Sequence, residues 1–182
     1  MAGLSTKAIK TRIKSMASTR QITKAMELVA SSKLRSAQSR AVACRPYFTA
    51  LYEAMNEIAD SSRSFESPYL RQAGPGKTIY IVIAGGYNNN VLKLAFRQMP
   101  QDAVVLPIGK KTVEFFQHRS CEILTEEYRE AASVSIGDCY SIAKLVADGF
   151  LDKTYQNVVL VYTNFVSLLA QTPAALPLLP RC

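Results

Sequence analysis

Histidine occurs once in the 182 residues, as His118, and the four cysteines, Cys44, Cys121, Cys139 and Cys182, fall without any C-x-x-C spacing. One imidazole and four dispersed thiols suggest neither a zinc site nor a disulfide framework, and they fit a reduced, intracellular compartment. No run of 18 or more apolar residues occurs, so no segment is predicted to span a membrane. Paired carboxylates do not stand out, and a Ser-His-Asp arrangement would have to use His118, which lies on a short, polar-flanked helix without a neighbouring signature. The chain does not read as an enzyme by itself, and no cofactor or metal is expected. Scarcest of all is negative charge near the start: residues 1–45 hold one acid, Glu27, and no aromatic residue.

Two short strings suggest nucleotide binding, and neither has the layout for it. Gly74-Pro75-Gly76-Lys77-Thr78 ends like a P-loop, but Arg71 stands where the first glycine belongs, and the string precedes a strand instead of following one. Ala84-Gly85-Gly86-Tyr87-Asn88 does lie between a strand and a helix. It lacks the spacing of a dinucleotide fingerprint, and a tight turn followed by a helix cap is a better reading than an anion site.

What is present is a globular composition, 48% hydrophobic and 20% charged, with a net charge of +8 that is unevenly placed. Lys7, Lys10, Arg12, Lys14, Arg20, Lys24, Lys33, Arg35, Arg40 and Arg45 face only Glu27, which gives residues 1–45 a net +9 and leaves −1 for the remainder. A solvated helix usually mixes signs so that neighbours at i and i+4 pair. Here there is almost nothing to pair with, so a partner carrying acidic residues is expected. The same composition also describes a mitochondrial presequence, but the helical spacing continues unbroken through Phe48, Leu51 and Met55.

From about Ser5 to Ile58 the chain reads as one very long helix. Steps of four and three connect Ile9, Ile13, Met16, Arg20, Thr23, Glu27, Ala30, Leu34, Ala37, Ala41, Cys44, Phe48, Leu51, Met55 and Ile58, a heptad-type seam that is apolar at both ends and polar in the middle. In the middle the apolar residues Ile22, Met26 and Val29 sit one position earlier, which a regular homodimeric zipper would not do. Ser5 and Thr6 are candidate N-caps, and Pro46 predicts a bend near Val42 rather than two helices in series. At 1.5 Å per residue the rod is roughly 80 Å long, whereas the remaining residues make a body about 35 Å across. The seam therefore needs cover from a second helix or an enclosing partner.

A serine-, proline- and glycine-rich stretch over Asp60–Lys77 marks a boundary, dividing the chain into a basic coiled-coil helix (1–60), a linker (61–77) and an α/β domain (78–182). Thr78–Ala84 is a strand buried on both faces. Gly85 and Gly86 end it, and Asn88–Asn90 cap a helix over Val91–Met99. Strands over Ala103–Ile108, Cys121–Leu124 and Asn157–Tyr162 follow, with a fifth beginning at Phe165–Leu169. The helices between them cover Lys111–Arg119, with Val113, Phe115 and Phe116 inward, and about Ile136–Leu151, where Ile136, Tyr140, Ala143, Val146, Ala147 and Phe150 share a face. The acidic stretch Glu126–Glu130 precedes the second of these helices. The predicted fold class is α/β: a doubly wound, mainly parallel, Rossmann-like three-layer sheet with a long N-terminal coiled-coil helix.

The stretch Gln21-Ile22-Thr23-Lys24-Ala25-Met26-Glu27-Leu28-Val29-Ala30, followed by Ser32-Lys33-Leu34-Arg35 and Ala43-Cys44-Arg45-Pro46-Tyr47, resembles the N-terminal helix of the gamma subunit of F-type ATP synthase. Gly85-Gly86-Tyr87-Asn88, Val159-Leu160-Val161-Tyr162 and Asn164-Phe165-Val166-Ser167 resemble that family's α/β domain, in the same order. The resemblance implies a non-catalytic rotor, a central stalk that couples proton flow to ATP synthesis. Its shaft, an antiparallel coiled coil of N- and C-terminal helices, stands inside the catalytic alpha/beta hexamer, and its foot meets the epsilon subunit and the c-subunit ring.

It further implies that Gln21, Thr23, Lys24 and Met26 lie near the catalytic contact, with Arg20, Lys33 and Arg35 as charge partners and Met26 equally suited to packing in the coiled coil. It implies no nucleic-acid role, and membrane attachment only through the complex, peripherally on the cytoplasmic face of a bacterial membrane. Two departures stand out. The family's Asp-Arg-Gly-Leu-Cys/Ala-Gly loop is missing before Gly85, which puts that loop's contacts at the foot in doubt. The family also continues into a C-terminal helix beyond Cys182, so a truncated gamma subunit with an under-packed first helix is expected. Of the rival readings, a basic-helix nucleic-acid binder with an α/β regulatory domain lacks base-reading aromatics among its cations. A nucleotide-dependent enzyme would have to use the Gly85-Gly86 turn.

Overall fold

The computed structural model describes residues 6–61, 67–70, 74–85, 88–130, 135–167 and 170–180. The chain divides into two compact units, Met1–Phe65 and Glu66–Cys182. The described residues of the first form α1, Thr6–Ser61, a single helix that runs through Pro46. The proline removes one amide donor without ending the helix, so of the two forms weighed from the sequence the structure has the single helix. Ser5, the alternative N-cap, lies outside the described residues.

The second unit opens with a 3-10 turn at Pro68–Leu70, then alternates strand and helix: β1 Thr78–Ile83, α2 Asn89–Gln98, β2 Val104–Ile108, α3 Lys110–Gln117, β3 Glu122–Ile123, α4 Ile136–Leu151, β4 Asn157–Phe165 and β5 Gln171–Leu179. The strands form one sheet in the order β3-β2-β1-β4-β5. β1, β2, β3 and β4 are parallel, and β5 runs antiparallel to β4. Because side chains alternate across a strand, β1 feeds two cores. Ile79 and Ile81 join Leu106, Val158 and the α4 residues Ile142, Val146 and Phe150 on one face. Tyr80 and Val82 join Val91, Leu92 and Ala95 of α2, Phe116 of α3 and Val161 on the other. This is the doubly wound, three-layer arrangement expected from the alternation.

Three details depart from the sequence reading. Phe165 ends β4 instead of starting a fifth strand, and the fifth strand is Gln171–Leu179; Leu168 and Leu169 lie outside the described residues. Two prolines disguised β5, yet an edge strand tolerates them because one side of its backbone has no neighbour. Ile136 and Tyr140, read as sharing a face with Val146 and Phe150, are 90% and 74% exposed, and Ala143 is exposed with them. The buried row of α4 is Ile142, Val146 and Phe150 at a spacing of four. Asn88 does stand at the N-cap of α2 but makes no side-chain cap hydrogen bond.

The start of α4 is capped reciprocally. The Asp138 amide donates to Ser135 Oγ (3.1 Å), and the Ser135 amide donates to Asp138 Oδ2 (2.6 Å), which satisfies two donors that a helix start leaves open.

Two predictions follow from this packing. Phe150→Ala empties a fully buried ring position stacked on Tyr69 at 6.2 Å, and should cost about 3–5 kcal/mol, read as faster hydrogen exchange of the β1 and β4 amides. The hydrogen bond from the Ser135 amide, then that with its hydroxyl, holds the Asp138 carboxyl below its ordinary pKa. A depressed folded-state pKa gives stability that is present above the unfolded value and lost as pH falls through the folded one. Amide protection in the first turn of α4 should therefore drop on acidification below the ordinary carboxylate range, and Asp138→Asn should remove that dependence.

Candidate partner-binding helix

All seven residues singled out from the sequence, Arg20, Gln21, Thr23, Lys24, Met26, Lys33 and Arg35, are on α1 and exposed. They do not share one face. At about 100° per residue, Arg20, Gln21, Lys24 and Arg35 occupy one side. Met26 and Lys33 lie on roughly the opposite side, in line with Ile22 and Val29, and Thr23 falls between. The two groups thus form a polar, cationic side and an apolar stripe at i, i+4, i+7 and i+11 that ends in a lysine.

The Thr23 hydroxyl is already engaged. It donates to the Thr19 carbonyl (2.7 Å), as Thr19 donates to Ser15 (3.0 Å) and Thr11 to Lys7 (3.0 Å). With its proton committed, Thr23 can offer a partner only lone pairs, and a row of such back-bonds bends a helix slightly. Among the described residues, none of the ten cations of residues 7–45 stands within ion-pair distance of an acid.

The seam is open as well. Ile9, Ile13, Met16, Phe48, Leu51, Met55 and Ile58 are all between 44% and 65% exposed. Tyr47 and Tyr52, which seam counting passes over, widen the apolar side of the C-terminal half, with Tyr52 6.1 Å from Phe48 ring to ring. Their signal in the sequence is position, since each flanks a seam residue.

The seam is nearly symmetric about Lys33 and Leu34: in an antiparallel pair of α1 helices, Ile9 would meet Ile58, Met16 would meet Leu51, and Lys33 would meet Leu34. The flanks oppose such a pair, because each copy brings ten cations and one acid over residues 1–45, and like charges at flanking positions set partner choice. A suitable cover is a helix or groove of different sequence with acids beside its apolar row.

The nucleotide-like strings have structural duties. Gly76 lies so close to Gln156 that a β-carbon would collide with its side chain, and Gln156 donates its amide to the Lys77 carbonyl (2.9 Å). The Asn88 amide donates to the Gly85 carbonyl (3.2 Å), closing a turn; Gly86 and Tyr87 lie outside the described residues. Beside that turn is a hollow of about 230 Å³ reached by Asn89, Lys111, Glu114, His118 and Arg119. Its cations are already occupied. Lys111 pairs with Glu114 at 2.9 Å, which lowers the Glu114 pKa chiefly through that hydrogen bond. Arg119 lies 3.6 Å over the Phe115 ring and donates to the Phe115 carbonyl. Among the described residues no cluster of His, Cys, Asp or Glu could hold a metal ion, and no helix is long and apolar enough to cross a membrane.

A family model described as ATP synthase matches residues 5–182. The ATP synthase gamma chain of Ruminococcus albus is 39% identical over 186 residues, covering 96% of this chain and 65% of that one. The sodium ion specific ATP synthase gamma chain of Acetobacterium woodii is 37% identical over 180 residues, covering 94% and 60%. A chain in a structure of the Euglena gracilis mitochondrial ATP synthase rotor aligns at 12% identity and a TM-score of 0.40, covering 74% of this chain and 55% of that one. The chain thus spans less than two thirds of the length of these curated relatives.

The flank charges give a prediction. Lys24→Glu replaces a cation with an acid on the flank of each copy, so it should strengthen self-association of the chain roughly tenfold at low salt, read by analytical ultracentrifugation. An unchanged sedimentation profile would show that the flanks do not govern pairing.

Proposed function

The chain belongs to the ATP synthase gamma-chain family, and from that premise we propose that it acts as the central-stalk subunit of a proton-driven F-type ATP synthase. In this reading residues 1–60 are the shaft, 61–77 a linker and 78–182 the foot. The shaft turns inside the catalytic alpha/beta hexamer, and the foot meets the epsilon subunit and the c-subunit ring at the cytoplasmic face of a bacterial membrane. The chain makes and breaks no bond itself. Its work is to present a different side to each catalytic subunit in turn.

One observation supports this most directly: α1 is a 56-residue helix whose apolar seam is exposed and whose cations, among the described residues, form no ion pair. Two kinds of partner fit those features. The seam suits a second helix, which removes apolar area from water at about 25 cal/mol per Å². The side formed by Arg20, Gln21, Lys24 and Arg35 suits acidic loops, where exposed ion pairs add little affinity but select orientation and speed encounter. Because the seam changes phase at Ile22, Met26 and Val29, the helix looks different from each side, as a shaft must if rotation is to drive three sites out of step.

The test is assembly with a catalytic hexamer that hydrolyses ATP. The chain should co-purify with the hexamer, and Lys24→Glu combined with Arg35→Glu should weaken capture about tenfold at low ionic strength. The difference should shrink as salt screens the contacts, over a Debye length of about 10 Å at 0.1 M. Equal capture of both forms at every salt concentration would contradict the charge roles, and failure of any form to bind would contradict the stalk reading.

A further inference from the structure

Among the described residues the long free edge of the sheet belongs to β5, because β3 at the opposite side is two residues. β5 carries no charged residue, and Leu176 and Leu178 are 42% and 37% exposed. A nine-residue apolar edge of this kind is ordinarily a template for a further strand from another chain. It also carries two prolines, Pro173 opposite Thr163 and Pro177 opposite Val159.

Along an antiparallel strand, residues alternate between those whose N–H and C=O meet the neighbour and those whose groups point away. The register is unbroken from Gln171 to Pro177, and its irregularity falls beyond, at Val158/Val159. Gln171, Pro173, Ala175 and Pro177 therefore belong to one class. Proline has no N–H, so a strand interior accepts it only where that N–H would face outward. The free edge thus offers four carbonyls but only two amide donors, at Gln171 and Ala175. A strand added there would find two of its own acceptors facing a pyrrolidine ring.

We propose that Pro173 and Pro177 close this edge to strand addition, whether by a second copy or by an extended peptide, so that this side of the α/β unit meets other molecules through side chains alone. The two prolines do the work that charged residues do on other edges.

Hydrogen exchange of the full chain over a concentration series tests this, because it separates β5 from any association through α1. In the parent, exchange of the 171–179 amides should not depend on concentration. In the chain carrying Pro173→Thr and Pro177→Thr, two restored donors should slow it roughly tenfold at high concentration. Concentration-dependent protection of β5 in the parent would overturn the proposal. So would its absence in the double variant while β1 and β4 stay protected. If the double variant loses that protection, Pro177→Ala alone is read in the same way: a smaller gain supports the proposal and no gain overturns it.

Discussion

A helix cannot bury its own apolar seam, and the first third of this protein is one helix. Isolated helices are marginal in water, and most of their stability in proteins comes from packing an apolar face. In α1 that face runs from Ile9 to Ile58 and is about half exposed along its length. The helix is therefore an unfinished element whose completion lies in another polypeptide segment. Its charges narrow what that segment can be. Ten cations and one acid over residues 1–45 repel a second copy and attract acidic surfaces, so the seam sets the shape of the partner and the flanks set its sign.

The α/β unit answers to the opposite condition. Its strands β1, β2 and β4 are covered on both faces, with Phe116 and Phe150 fully buried in separate cores, each worth roughly 1.5–3 kcal/mol of transfer free energy. The buried Thr112 hydroxyl is matched as well: its Oγ1 lies 3.2 Å from the Ala84 carbonyl and 3.0 Å from that of Ile108, joining the ends of β1 and β2 to the first turn of α3. A unit that fills its own core can serve as a rigid body, whereas a helix with open flanks serves by being held. This chain assigns the two properties to different stretches of sequence.

Much of this was legible before any coordinates. The β-branched run Thr78–Ile83 announced a strand buried on both sides, and the serine, proline and glycine cluster before it announced a boundary. The helix read at about Ile136–Leu151 from its apolar spacing is the helix found. What could not be read depended on neighbours. Ile136 and Tyr140 have the same apolar character as Val146 and Phe150, and only the extent of the sheet beneath α4 decides which of them are covered. β5 was hidden because Pro173 and Pro177 break an interior strand but not an edge, and edge status belongs to the assembled sheet. On α1, the seven candidate residues fall on the expected helix, and their division between two sides follows from about 100° per residue within that stretch.

The central claim is that α1 is completed from outside itself, and limited trypsin digestion tests it most directly, since the protease cuts after the lysines and arginines of residues 7–45. The free chain should be cut rapidly within that stretch while the α/β unit survives, and assembly with the catalytic hexamer should protect it. A free chain that resists cleavage between Lys7 and Arg45 as firmly as within its sheet would contradict the account.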